Sequence, residues 1–311
     1  MTAIATVTHV DLATVQDGGR RGLAGIGVPI SGAWHRSRYL VATNLVRGAE
    51  DPRQPAVELL AGSMELHFHL PTTVAVVGPA QVTVDGLPFG AGVGLAVTAD
   101  VRVVVDHRGP GPVYLAIAGW EAPLVLGSAA TDTFSGIAGT SLRSGVALTG
   151  VAGSGCSAGA FLRQGDDAGG PLRVVPCEDV PLPVGPWRVQ STARSGTRMV
   201  GGAASSSGSR PSRPVVVGAI QAAPSGELII LGPDGGLTGG YPIVGVVCSA
   251  DLPRVSELEP GEEISLQPMD VPAAMQAFAV AERERRVVHP GVLGRDGSRR
   301  GSVPDDVAPA K

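Results

Sequence analysis

The chain has 311 residues, enough for two domains and for burying roughly three-quarters of its extended surface. A formal net charge of −4 leaves no electrostatic footprint for nucleic acid or an anionic membrane surface. Three scattered cysteines (Cys156, Cys177, Cys248) without a CxxC pair, no leader-like N-terminus and no membrane-length apolar run read as a soluble, cytoplasmic chain.

With 45 glycines, 26 prolines and few aromatics, many short elements joined by turns are expected. The first strand ends in Thr14-Val-Gln-Asp-Gly-Gly-Arg20, which sets the Gln16 amide, the Asp17 carboxylate and the Arg20 guanidinium within a few residues. Arg20 offers the fork geometry that clamps a carboxylate or phosphate; alternatively it pairs with Asp17 across the turn. Gly27-Val-Pro-Ile-Ser-Gly-Ala33 then leads into a helix from about Trp34 to Arg47. Ser31 and Gly32 at its start either cap it or form an anion site on its dipole. Its inner stripe carries Leu40, Val41 and Leu45, and also Asn44, which pins a loop or meets a ligand.

Met64-Glu-Leu-His-Phe-His-Leu70 alternates, with Met64, Leu66, Phe68 and Leu70 on one face. His67, His69 and Glu65 share the other face, but no third and fourth ligand is evident, so no metal is expected. Val74–Val77 and Val82–Val84 flank Gly78-Pro79, and Val101–Val105 and Val113–Ile117 flank a hairpin-like loop. Gly, Ser and Asp gather between about 151 and 172, where a boundary is placed. Residues 1–160 form one subdomain, 161–288 a second, and 289–311 a flexible tail. Gly201–Pro214 reads as a flexible loop. Ser154-Gly-Cys-Ser157 has no neighbouring histidine to support a nucleophile.

Leu228–Leu231 and Ile243–Cys248 are apolar runs around Asp234 and Thr238-Gly-Gly-Tyr-Pro242. Gly239 and Gly240 can bare their amides to a ligand, with Asp234, Thr238 and Tyr241 around them; a plain tight turn is the competing reading. A last helix opens on Asp270 as cap and Pro272 in its first turn and runs to about Arg286, its stripe Val271, Ala274, Met275 and Phe278 read as core. There is no GxGxxG, GxxxxGK[ST], GxSxG or HExxH, so any nucleotide binds without a standard phosphate loop.

The motifs Thr14–Arg20, Gly27–Ala33, Tyr114–Gly119, Val125–Ser128, Gly218-Ala-Ile-Gln221, Thr238–Pro242 and Ser249–Pro253 occur in an order that resembles the biotin-dependent carboxyltransferase-type domain, subdomains A and B. That family is also known as allophanate hydrolase subunit 2, KipA, or the C component of 5-oxoprolinase. The resemblance implies a mainly β fold of cyclophilin-like β-barrel architecture, in two subdomains with a few helices and a cleft between them. It implies a hydrolase subunit that opens 5-oxoproline or allophanate, both small amide or ureido substrates, with a separate KipI-like subunit-1 chain carrying subdomains C and D. ATP is the implied cofactor, with Mg2+ as the ion that accompanies it, and no biotin is carried on this chain. Two other activities in the family's range are a non-catalytic KipA-like regulatory binder and the carboxyltransferase component of a urea carboxylase-like system.

The chemistry implied needs an anion clamp, oxyanion donors and a positioned acid or base. Asp17 or Asp234 stands for the acid/base, with Gly239, Gly240 and Tyr241 beside it as catalytic groups. Gln16, Arg20, Ser31, Gly32, Asn44, Gln221 and Thr238 stand for substrate binding. The chain departs from the family at His35, Ala129, Ala193 and Gly236-Leu237, where polar or acidic groups are usual.

Overall fold

Strands from Thr2–Gln16 to Ala147–Gly150 build one sheet, and strands from Leu172–Pro176 to Leu266–Pro268 build another, each around its own apolar core. The computed structural model describes residues 2–47, 51–153, 160–162, 169–177, 180–183, 185–202, 211–285 and 288–290. Among these residues the sheets have nine and eight strands, and the fold is mainly β, of barrel type. No helix in that range is long and apolar enough to cross a membrane.

The first core gathers Val7, Val15, Leu66, Phe68, Val103, Leu115 and Ile117. Alternation in Met64–Leu70 holds: Met64, Leu66 and Phe68 are buried, and Leu70 packs half-buried on the same core. The second core gathers Trp187, Met199, Ile220, Ile230, Val244 and Leu266. Burying each such large side chain contributes about 1.5–3 kcal/mol.

Two expected hairpins are not formed. Val101–His107 and Val113–Ile117 do not pair with each other; both pair with the long strand Ala56–Phe68, at residues 63–68 and 56–59 respectively. Thr72–Val77 and Ala80–Val84 likewise take different partners, Val93–Val97 and Val113–Ile117 for one, Leu87–Phe89 and Val101–His107 for the other. Gly and Pro at 78–79 and 109–112 mark where the chain turns, but one edge of the long strand is taken by Thr2–Gln16 and its other edge holds the two strands on separate segments. Turn residues specify a reversal and not a partner.

Helix α1 (Arg36–Arg47) lies over Thr72–Val77 and Val113–Ile117, burying Tyr39, Leu40, Ala42, Leu45 and Val46. It also buries the polar Arg38 and Thr43, the Thr43 hydroxyl bonding back to Tyr39 O at 3.0 Å; Asn44 is half-buried at the margin. Helix α2 (Leu252–Val255) is a single turn. Helix α3 (Val271–Arg285) is capped as expected, Asp270 Oδ1 accepting from Ala273 N at 2.7 Å. Its stripe is not core, however: Val271 and Met275 are 55% and 68% exposed, because only the Ala274 and Phe278 side meets the sheet. Buried Cys248 donates toward Ala274 O.

At the end of the segment expected to be a flexible loop, Arg213–Pro214 pairs with Thr238–Gly239 as a separate two-stranded sheet. Val288–Pro290 pairs with Ala160–Leu162. Ser154–Ser157, residues 203–210 and the tail from 291 lie outside the described residues.

Candidate functional site

Glu58 interrupts the apolar run Ala56-Val-Glu-Leu-Leu60 and is fully buried. A charge there persists only with partners. Its Oε1 meets Arg194 Nη1 at 2.5 Å, and its Oε2 accepts from Trp34 N at 2.9 Å and from the Tyr114 hydroxyl at 2.5 Å. Arg194 comes from the other sheet, in the turn after Trp187–Ala193. It forks onto Asp234, Nε to Oδ2 at 2.8 Å and Nη2 to Oδ1 at 2.7 Å, and Nη2 also reaches Gly32 O at 2.9 Å. Asp234 Oδ2 further accepts from Thr133 N at 3.0 Å and its hydroxyl at 2.7 Å. One guanidinium thus ties together the loop before α1, the 131–137 loop and the 231–238 loop.

Burial opposes the Arg194 charge, but Glu58 and Asp234 outweigh it and hold the guanidinium above its ordinary pKa. Burial, then Glu58, pushes the Tyr114 phenol up, so it stays a donor. The Tyr114 oxygen accepts from His35 N at 2.8 Å, and His35 Nδ1 accepts from Arg38 N at 3.2 Å. His35, not Ser31, therefore caps α1. The anion expected at the start of this helix is supplied by the protein itself, as the Glu58 carboxylate on Trp34 N. Gly32 holds φ 79°, and a Cβ there would stand 2.8 Å from Gly19 N, so the loop before α1 packs backbone to backbone on the Asp17 loop.

Asp17 and Arg20 do not pair across their turn. Both hold the segment 125–130: Asp17 accepts from Gly19 N (2.8 Å), the Ser128 hydroxyl (2.6 Å) and Ala129 N (2.7 Å). Arg20 donates from Nε to Val125 O at 3.0 Å and from Nη2 to Ala130 O, and its Nη1 has no hydrogen-bond partner among the described residues. Burial holds the Arg20 pKa below its ordinary value against the fields of Asp17, Asp132 and Asp234. Gln16 donates to Thr14 Oγ1 and Thr131 O, both at 3.0 Å.

The Gly239 loop is more open. Thr238 and Tyr241 are exposed and Gly239 and Gly240 half-buried. Gly239 pairs in register with Arg213, and a Cβ on it would collide with the Gln221 amide nitrogen. Gln221 is buried, and that nitrogen has no hydrogen-bond partner among the described residues.

A second joint lies on the far side of α1. Glu257 binds Arg38 Nη2 and stands 3.3 Å from His35 Nε2. Burial pushes Glu257 up, but His35 and Arg38 outweigh it and hold the carboxyl below its ordinary value. Burial keeps the His35 pKa low despite Glu257.

Of the residues singled out in the sequence, Gln16, Asp17, Arg20, Ser31 and Gly32 share one loop junction. Asp234 joins it through Arg194 and Thr133. Gln221, Thr238, Gly239, Gly240 and Tyr241 form a separate stretch beyond Asp234, and Asn44 has no tie to either among the described residues. Asp17 and Asp234 hold loops with three and four accepted bonds, which leaves neither a bare acid. Glu58, Tyr114, Ser128, Thr133 and Arg194 were not among the expected site residues, although Tyr114 and Ser128 stand in family motifs. A carboxylate inside an apolar run was the available signal for Glu58; Arg194 sits in an ordinary-looking turn.

Residues 26–268 match the family described as carboxyltransferase domain, subdomain A and B. The chain is 27% identical over 290 residues to the C component of 5-oxoprolinase from Escherichia coli (strain K12), covering 85% of this chain and 90% of that protein. It is 26% identical to the protein of the same name from Haemophilus influenzae, over 84% of this chain and 90% of that one. The crystal structure of TTHA0988 superposes with a TM-score of 0.78 at 26% identity over 85% of this chain, which spans 56% of that longer chain. Kluyveromyces lactis urea carboxylase shares the fold over all of this chain and 32% of its own, at TM-score 0.77 and 22% identity.

Proposed function

The chain belongs to the carboxyltransferase-domain, subdomain A and B, family, and on that premise we propose that it is one subunit of an ATP-dependent hydrolase of small amides or lactams. The substrate is 5-oxoproline or allophanate, and a separate cytoplasmic chain with subdomains C and D completes the enzyme. Likeness to the Escherichia coli 5-oxoprolinase component over nine-tenths of its length supports the reading. The observation that supports it is the Arg194 joint, which ties Glu58 and the Gly32 loop to Asp234, after the Leu228–Leu231 strand of the second sheet.

In this reading the chain binds and orients, and the acid or base that moves the proton comes from the partner. Asp17 and Asp234 are positioning residues, because Asp17 spends its oxygens on Gly19, Ser128 and Ala129, and Asp234 on Thr133 and Arg194. Gly239 is drawn into a ladder with Arg213, so the Gly240 amide, next to exposed Tyr241, is the donor offered to a developing oxyanion. At this junction Arg194 is committed to Glu58 and Asp234 and Arg20 has a single free arm among the described residues, and in this reading ATP is bound by the partner.

The test is substrate-dependent ATP turnover by the chain purified with its subunit-1 partner. Turnover with 5-oxoproline or allophanate is expected; a stable complex that turns over neither overturns the proposal. A second reading, a regulatory binder of the partner, draws on the same commitment of Asp17 and Asp234, and it predicts that stable but silent complex.

A further inference from the structure

Exposed loops are usually rich in polar residues, yet three loops of this chain, 23–30, 124–127 and 133–137, carry no charged residue at all. They hold Ile26, Ile30, Leu124, Leu126 and Phe134 out to solvent, Ile26 being 73% and Phe134 76% exposed. A large apolar side chain in water is ordinary when it stands alone. These five stand together, because Arg20 ties their loops to one point. Its N donates to Ile30 O at 2.8 Å, its Nε to Val125 O at 3.0 Å and its Nη2 to Ala130 O.

Buried polar groups fix each loop in the form that presents these side chains. Asp132 accepts from Phe134 N at 2.9 Å and from the Ser135 hydroxyl at 2.6 Å, while Asp234 holds Thr133, so Phe134 projects from a clamped backbone. Val125 and Ser128 exchange backbone hydrogen bonds at 2.8 and 3.3 Å and close a turn with Leu126 and Gly127 at its tip. Both tip residues have positive φ, 53° and 80°. Asn-Gly is the pair that such a turn prefers; a leucine there strains the backbone and gains no burial. The stability of this chain alone does not account for Leu126. Apolar anchors on a frame that needs no reordering are what a protein–protein interface uses.

Charge and area select the occupant. Arg21 borders the face, exposed and without an ion pair among the described residues. A second copy meeting face to face puts two unpaired Arg21 side chains into one interface, whereas a different chain with a carboxylate there is attracted. Five side chains fall short of the roughly 800 Å² per partner that a specific complex buries, so they are the anchors of a wider contact with a folded chain.

We propose that these three loops are the face on which a second, different polypeptide docks, through an apolar surface bearing a carboxylate opposite Arg21. In the hydrolase reading, on which the identity of the occupant rests, that polypeptide is the subunit-1 chain.

Surface plasmon resonance of the full chain on the purified subunit-1 chain tests the face. Phe134→Ser, Ile26→Ser and Leu126→Asn each weaken the complex roughly ten- to a hundredfold, chiefly by faster dissociation. Leu126→Asn separates docking from folding, because Asn suits that φ: the isolated chain keeps or raises its denaturant midpoint while it loses partner affinity. Arg21→Glu slows association at low salt. Met275→Ser, at an equally exposed apolar residue on α3, leaves binding unchanged. Affinity unaltered in Phe134→Ser and Leu126→Asn overturns the proposal, and turnover by that pair leaves the hydrolase reading standing. Affinity lost in the variants of a pair that hydrolyses neither substrate overturns the reading and keeps the face. Absence of any complex overturns both. Dimerisation of the chain in analytical ultracentrifugation, or binding to phosphatidylcholine vesicles, abolished by the same variants gives the face another occupant and overturns the proposal.

Discussion

Arg194 Nη1 lies 2.5 Å from Glu58 Oε1 although the two residues are 136 positions apart, and both are almost wholly buried. The pair joins the two sheets, and Asp234 completes it from the second one. Arg194→Met leaves two buried carboxylates facing each other without a cation. The expected loss is about 3–5 kcal/mol, read from denaturant midpoints. A loss under about 1 kcal/mol would show that the network is solvated in solution.

Gly239 and Gln221 form a tight contact in which no Cβ fits. Gly239→Ala is expected to destabilise by about 1–3 kcal/mol through overpacking. Gln221→Ala removes the colliding amide, so the double variant recovers much of that loss and the two changes are not additive. Additive losses in equilibrium unfolding would place the strain elsewhere.

Asp17 holds the 125–130 segment with both oxygens. Asp17→Asn keeps one acceptor and turns a donor toward a backbone or hydroxyl donor, at a cost of about 1–3 kcal/mol. Hydrogen exchange is expected to rise in residues 125–131 before it rises in the core strands. Ser128→Ala, which loses a neutral hydroxyl, costs less, about 1 kcal/mol.

Acid weakens the second joint in two steps. Burial depresses the His35 pKa in the fold, so below the ordinary value of about 6.5 the unfolded chain binds the extra proton and stability falls as pH falls. Glu257 is depressed by His35 and Arg38 once they outweigh burial, so its contribution is present above the ordinary carboxylate range and is lost on further acidification. In His35→Gln the decline beginning near pH 6.5 should disappear and the lower one should weaken, because His35 is the larger of the two groups that depress Glu257. An unchanged profile from pH 7 to 5 would assign the first step to another group.

Strands that bury one face were legible, because alternation in Met64–Phe68 and the apolar runs 228–231 and 243–247 state which residues leave water. So was the cap of α3, since Asp270 and its helix are neighbours in the chain. Motif order gave the family. What escaped was pairing: Val101–His107 and Val113–Ile117 are sequence neighbours that share a third strand instead of each other.

The residues by themselves determined where strands and turns fall, which side chains seek the core, and that polar groups gather at Gln16–Arg20 and Asp234–Tyr241. Those are local consequences of spacing, hydropathy and glycine conformation. Only the tertiary structure decided which polar groups are consumed and which left over. Glu58 takes the Trp34 amide at the helix start, where an anionic ligand was one expectation, Arg194 absorbs Asp234, and Asp17 is spent on Ser128 and Ala129. Among the described residues Gln16 Oε1, Arg20 Nη1, Ser31 Oγ and Thr131 Oγ1 are left over, as are Thr192 Oγ1, Thr197 Oγ1 and Gln221 Nε2. A hydrogen bond depends on distance and direction between atoms far apart in the chain, and sequence spacing does not carry either.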